Sequence, residues 1–168
     1  FHYICTKLLD KLAEKELTLM QSEEFPNEMD PNYRNKEYCY KIIVAGDPEV
    51  GKTSSILRFT DKTFHRSYIP TIGVNITEKE VRRPNINIKL MIWDLAGQSK
   101  YQRIRFQFYQ GSDGILLVFD LTNRSTFENI FKWYEDMKKN IPHSDKIKFI
   151  LIGNKKDKEK EIKVSTEE

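Results

Sequence analysis

Gly46-Asp47-Pro48-Glu49-Val50-Gly51-Lys52-Thr53 is the stretch on which the fold turns. It fits the pattern G-x-x-x-x-G-K-[ST], and its surroundings give that pattern physical meaning. Before it, Tyr40 to Ala45 form a short apolar run with β-branched residues, which reads as a buried strand. After it, Lys52 to Thr60 read as a helix. A glycine-bearing loop in this position turns its main-chain N–H groups inward, where they and the helix N-terminus hold anionic oxygens. Lys52 brings a mobile positive charge to phosphate groups, and the Thr53 hydroxyl is a ligand for Mg²⁺, a hard ion that prefers oxygen. Asp47, Pro48, Glu49, Val50 and Ser54 complete the expected binding segment. An ordinary glycine-containing turn is the competing reading; strand, helix and the Lys-Thr pair standing in register argue against it.

Outward from this loop, strands alternate with helices. Val74 to Val81 and Ile86 to Trp93 read as strands. In the second, Ile86, Ile88, Leu90 and Ile92 alternate with Asn87, Lys89, Met91 and Trp93, a period of two. Arg82 to Asn85, with Pro84, join the two as a hairpin. Gly114 to Asp120 and Lys148 to Asn154 contain apolar runs of buried-strand type. Between them, Ser125 to Asn140 read as one helix with Phe127, Ile130, Phe131, Tyr134 and Met137 on a single face. The pattern predicts an α/β fold in three layers, a mostly parallel sheet with one antiparallel hairpin. That domain occupies residues 37–168. Ahead of it, residues 1–36 divide into an amphipathic helix and a linker. Ile4, Leu8, Leu9, Leu12 and Ala13 fall at helical spacing opposite Lys7, Asp10, Lys11, Glu14 and Lys15, and Pro26 and Pro31 punctuate the linker. The helix reads either as a docked or solvated extension, or as the tail of an upstream domain or a partner-binding element.

Composition narrows the function classes. The 168 residues carry 28 basic and 25 acidic side chains, so the charges nearly cancel at +3. A duplex-binding protein concentrates a basic face, and nucleic acid is therefore not the expected partner. Cys5 and Cys39 sit in no C-x-x-C or metal-like spacing, which argues for a reducing, cytoplasmic setting rather than a disulfide framework. No apolar run approaches the ~20 residues that span a bilayer.

Two further strings follow predicted strands. Trp93-Asp94-Leu95-Ala96-Gly97-Gln98 has the form D-x-x-G-Q, and Asn154-Lys155-Lys156-Asp157 has the form N-K-x-D. Together with the phosphate loop, these resemble the P-loop GTPases. Pro70-Thr71-Ile72-Gly73-Val74, Ile92-Trp93-Asp94 and Phe119-Asp120-Leu121-Thr122-Asn123-Arg124 followed by Ser125 and Phe127 narrow the resemblance to the Ras superfamily, nearest the Rab type.

That resemblance implies a P-loop NTPase fold and a role for each loop. Asp94, at the carboxyl end of a strand, would hold Mg²⁺ through water. Gly97 has no side chain, so its N–H can approach a γ-phosphate, and Gln98 has both a donor and an acceptor with which to orient an attacking water. Thr71 would close on Mg²⁺ and the γ-phosphate in the GTP state, Tyr68 would cover the phosphates and Phe64 would pack against the guanine edge; plain loop packing is the rival reading for both aromatics. Asp157 would accept hydrogen bonds from the N1–H and N2–H₂ edge of guanine, which adenine does not present. The Lys155 stem would lie over the base, and Asn154 would tie this loop to the phosphate loop.

The implied cofactors are GTP or GDP with Mg²⁺. The implied partners are effector, exchange-factor and GTPase-activating proteins, with peripheral association at the cytosolic face of membranes through a C-terminus. The sequence departs from the family at Pro48, where one N–H donor is lost and φ is fixed, and at Ser99, where Rab-type proteins usually carry glutamate. Ser165-Thr166-Glu167-Glu168 has the form of a helix capping box, and the family's last strand, Ser-Ala-Lys loop and final helix are missing from these 168 residues. Two functions fit these strings: a regulatory GTPase with slow intrinsic hydrolysis, because no arginine in these loops supplies a finger charge, or a nucleotide-binding module with little hydrolysis that acts as a scaffold. A P-loop kinase or ATPase is the third class, which the N-K-x-D string disfavours.

Overall fold

The computed structural model describes residues 36–60, 73–83, 86–142 and 147–165. The expected N-terminal helix and linker fall outside these residues, as do Phe64, Tyr68 and Thr71.

Among the described residues five strands form one sheet: β1 (Lys36–Ala45), β2 (Val74–Arg83), β3 (Ile86–Leu95), β4 (Gly114–Asp120) and β5 (Lys148–Asn154), in the order β2-β3-β1-β4-β5. β1 runs parallel to both β3 and β4, β4 runs parallel to β5, and among the described residues only the β2–β3 pair is antiparallel. This is the mixed α/β sheet the alternation predicts. β4, Gly-Ile-Leu-Leu-Val-Phe-Asp, is buried at all seven positions because it has strands on both edges and helices on both faces. β3 keeps its period of two: Ile88, Leu90 and Ile92 are buried while Asn87, Lys89 and Met91 are half-exposed. β5 differs from the expected buried run. Ile152 is buried, but Leu151 is 49% exposed, because β5 has a strand neighbour on one edge alone among the described residues.

The helices are α1 (Lys52–Thr60), α2 (Gln102–Tyr109), α3 (Arg124–Glu128) and α4 (Ile130–Asn140). α1 covers one face of the sheet, where Ile56 and Phe59 meet Ile42, Val44, Leu90, Ile92 and Val118. α2 and α4 cover the other, where Tyr109, Trp133 and Met137 meet Ile43, Ala45, Ile115 and Leu117. These are the three layers.

The single helix expected over Ser125–Asn140 is two helices that part at Asn129. The expected apolar face also shifts. Phe131 is 69% exposed, and Trp133 takes the buried position with Met137 one turn on. α2 has no counterpart in the sequence reading. Its buried residues are Arg105 and Tyr109, while Ile104 and Phe106 face outward, which reverses the usual helical pattern. Cys39 is exposed and free, and no helix among the described residues is long and apolar enough to cross a membrane.

Candidate functional site

β1 and its two parallel neighbours end at the same side of the sheet. The connection after β1 leads by α1 and β2 to β3 on one side, whereas the connection after β3 leads by α2 to β4 on the other. Open α/β sheets bind ligands in the crevice that such a divergence leaves at the carboxyl ends of their strands. A cavity of about 420 Å³ lies there. Pro48, Glu49, Gly51, Lys52, Thr53 and Ser54 line it from the phosphate loop and the start of α1, Gly97 and Gln98 from the loop after β3, and Lys155 from the loop after β5. Three strings spread over more than a hundred residues thus converge on one hollow.

The loop holds its own shape. Gly46 has φ +141°, and a Cβ there would run into the carbonyl oxygen of Val118, so only glycine lets β1 turn this close to β4. Lys52 is 6% exposed, and its ammonium donates to the main-chain oxygens of Gly46 at 2.8 Å and Asp47 at 2.7 Å. Burial lowers its pKa from 10.5 to about 8, and the nearby carboxylates of Asp94 and Asp47 oppose that fall only in part. Val50 is fully buried, and its carbonyl accepts a hydrogen bond from Asn154 Nδ2 at 2.8 Å, which joins the third loop to the first. A Cβ on Gly51 would collide with that same amide nitrogen.

Gly97 presses on the phosphate loop. A Cβ there would meet Gly46 O at 2.7 Å and, closer still, Asp47 C and Pro48 N. Asp94, 1% exposed, accepts a hydrogen bond through Oδ2 from the Thr53 hydroxyl. A hydroxyl that lines the cavity and a buried carboxylate behind it thus meet as an all-oxygen donor pair. Among the described residues there is no group of three or more His, Cys, Asp or Glu that would hold a metal alone. Such a sparse oxygen set fits Mg²⁺, which keeps several waters and takes its remaining ligands from phosphates. Thr71, the third expected ligand, lies outside the described residues.

Lys155 stands at φ +63°, and its ammonium forms an ion pair with Asp120 Oδ2 at 2.7 Å. Asp120 also accepts from the Thr122 N–H and hydroxyl through Oδ1. Burial pushes the Asp120 carboxyl up, but the hydrogen bonds from Lys155 and Thr122 outweigh it, and the group lies below the usual carboxylate value. Asp157 is exposed two residues beyond Lys155 and is not among the residues that line the cavity.

The side chains that support the site, Asn129, Trp133, Arg105 and Asp120, escaped the sequence reading. Asp47 is held from outside the loop: Asn129 Nδ2 donates to its Oδ2 at 2.7 Å and Trp133 Nε1 to its Oδ1 at 2.8 Å. Arg105 stacks on the Trp133 ring, 4.0 Å from its centroid. Asp120 supports Lys155. A buried tryptophan 86 residues from its acceptor leaves no local sequence signal.

Comparison with known proteins adds an independent observation. The Ras family model matches residues 41–168. Ras-related protein Rab-15 of Homo sapiens is 40% identical over 135 residues, which cover 79% of this chain and 63% of that protein. Ras-related protein RabC of Dictyostelium discoideum is 40% identical over 135 residues (79% of this chain, 68% of that protein), and Ras-related protein RABE1d of Arabidopsis thaliana is 42% identical over 121 residues (72% and 55%). The chain therefore spans less than two thirds of the length of Rab-15.

Proposed function

The chain belongs to the Ras family, on the Rab-like side of it, and from that premise we propose that it is a guanine-nucleotide switch of membrane traffic that binds GTP or GDP with Mg²⁺ and hydrolyses GTP slowly. The observation that carries this reading is the convergence of Lys52, Gly97, Gln98 and Lys155 on one cavity, with Asn154 joining the outer loops.

Each residue has work that its chemistry suits. The main-chain N–H groups after Gly46 and the N-terminus of α1 receive the phosphates. Lys52 lends its charge to the β- and γ-phosphates from a buried position, where Coulomb attraction is less screened than in water. Thr53 and Asp94, with Thr71, would hold Mg²⁺, which would supply positive charge opposite the phosphate oxygens. Gly97 donates its N–H to the γ-phosphate. The Gln98 amide orients the water that attacks the γ-phosphorus in line with the departing GDP oxygen. Tyr68 and Phe64 shield the nucleotide. Asp157 reads guanine, and the Lys155 stem, braced by Asp120, lies over the base. Effectors, exchange factors and GTPase-activating proteins would read the loops around Thr71 and Gln98 at the cytosolic face of a membrane. The positive charge that speeds transfer would come from such a partner.

A single-turnover assay on protein loaded with GTP tests the reading. Phosphate release should be slow, and Gln98→Leu should slow it further. Release that Gln98→Leu leaves unchanged would remove the catalytic role and leave the scaffold alternative, which Pro48 favours because it withdraws one N–H from the loop. ATP that displaces GTP with equal affinity would refute the base pocket.

A further inference from the structure

α2 buries the residue a helix normally exposes. Arg105 is 5% exposed, and its Nε and Nη1 have no hydrogen-bond partner among the described residues. Taking a guanidinium out of water is costly unless the charge is used, and burial does lower its pKa. Its guanidinium carbon lies 4.0 Å from the centroid of the Trp133 ring, and a cation over an indole is held by the ring's electron-rich face. The same indole donates its N–H to Asp47, and the Asp47 carbonyl accepts from Lys52. A guanidinium that draws electron density from the ring makes the indole N–H a better donor, and its charge also attracts the carboxylates of Asp136 and, less strongly, Asp47. A series of contacts therefore connects α2, which begins four residues after Gln98, with the lysine of the phosphate loop.

We propose that Arg105 is a positioning residue that holds Trp133 against Asp47 and so sets how fast nucleotide leaves the phosphate loop. A movement of α2 that lifts Arg105 from the indole loosens Asp47, and with it the lysine. Events at Gln98 thereby reach the nucleotide from behind the loop as well as from the front. This rests on the guanine-nucleotide reading, and the test separates the two.

The full chain is loaded with a fluorescent GDP analogue, and release is followed after a chase of unlabelled GDP. Arg105→Met keeps the bulk and removes the charge. It should release the analogue about thirtyfold faster, the weight of one desolvated cation–ring contact. Its melting temperature should hold or rise, because replacing a buried charge with an apolar side chain is often stabilising. Arg105→Lys should restore most of the slow release. Trp133→Phe should release as fast as Arg105→Met, and the double variant should be no faster than either, because the two act through one path. Release at the wild-type rate in Arg105→Met, or a double variant whose rate is the product of the singles, would overturn the proposal. An NMR readout stands apart from nucleotide: hydrogen exchange at the Trp133 indole N–H should quicken in Arg105→Met. If the wild type held no guanine nucleotide, the functional reading would fail, and the indole exchange would still decide the coupling: unchanged exchange would refute it.

Discussion

Gly97→Ala is the sharpest perturbation of the site, because the added methyl has nowhere to go. Its Cβ would lie 2.7 Å from Gly46 O and against the main-chain atoms of Asp47 and Pro48. None of these is the end of a flexible side chain. Gly46 in turn is pinned to β4 by its own close approach to Val118. The Gly97 turn must therefore be the part that yields, receding by about 1 Å to reach an ordinary contact of about 3.5 Å. An N–H that reached a γ-phosphate oxygen at about 2.9 Å would then stand near 3.9 Å, which is no longer a hydrogen bond. A hydrogen bond to a charged acceptor contributes about 1.5–3 kcal/mol, so GTP affinity should fall by about 10- to 150-fold. GDP has no γ-phosphate and should lose far less. Displacement of a fluorescent GDP by GTP and by GDP measures the ratio directly. Melting should drop by the equivalent of about 1–3 kcal/mol for the overpacked contact. A folded Gly97→Ala protein with the wild-type preference between GTP and GDP would refute the geometry.

Asp157→Asn should weaken guanine nucleotides and strengthen xanthine nucleotides, since the amide offers a donor to the new carbonyl; competition between GDP and XDP reads the switch. Lys52 predicts a pH signature. Its pKa is about 8 in the folded chain against 10.5 for a lysine in water, so between these values the unfolded chain binds more protons and stability rises with pH. Measured by denaturant unfolding against Lys52→Met, the wild type should gain about 3 kcal/mol across that window, while its nucleotide affinity declines as the ammonium is lost. A difference that stays flat from about pH 8 to 10.5 would contradict the burial of this group. Asn154→Ala removes the 2.8 Å bond to Val50 and should lower stability by about 1 kcal/mol in thermal melts while speeding release of bound GDP; an unchanged release rate would mean the tie between the loops is idle.

The strands and the phosphate loop were legible because their signals are local. β3 announces itself by alternation, β4 by an unbroken apolar run, and the loop by glycines that the main chain requires. α2 was illegible because its inward residues are an arginine and a tyrosine while Ile104 and Phe106 point out, so periodicity offered no apolar face. The break at Asn129 was hidden for another reason. Neither α3 nor α4 has a side-chain cap at its start, and Asn129 spends its amide on Asp47, 82 residues away. A face read as continuous across that break assigned Phe131 to the core, where Trp133 belongs. Asp47 shows the same limit: the motif marks its place in the loop, but its partners exist only once α4 has packed.

The two bonds that Lys52 makes to Gly46 and Asp47 carry a kinetic corollary. A loop whose shape is fixed by its own ammonium arrives preorganised, so capture of a phosphate chain involves shedding water rather than refolding the loop. Encounter rates should then vary little among variants of the surrounding contacts, and differences in affinity should surface as differences in residence time.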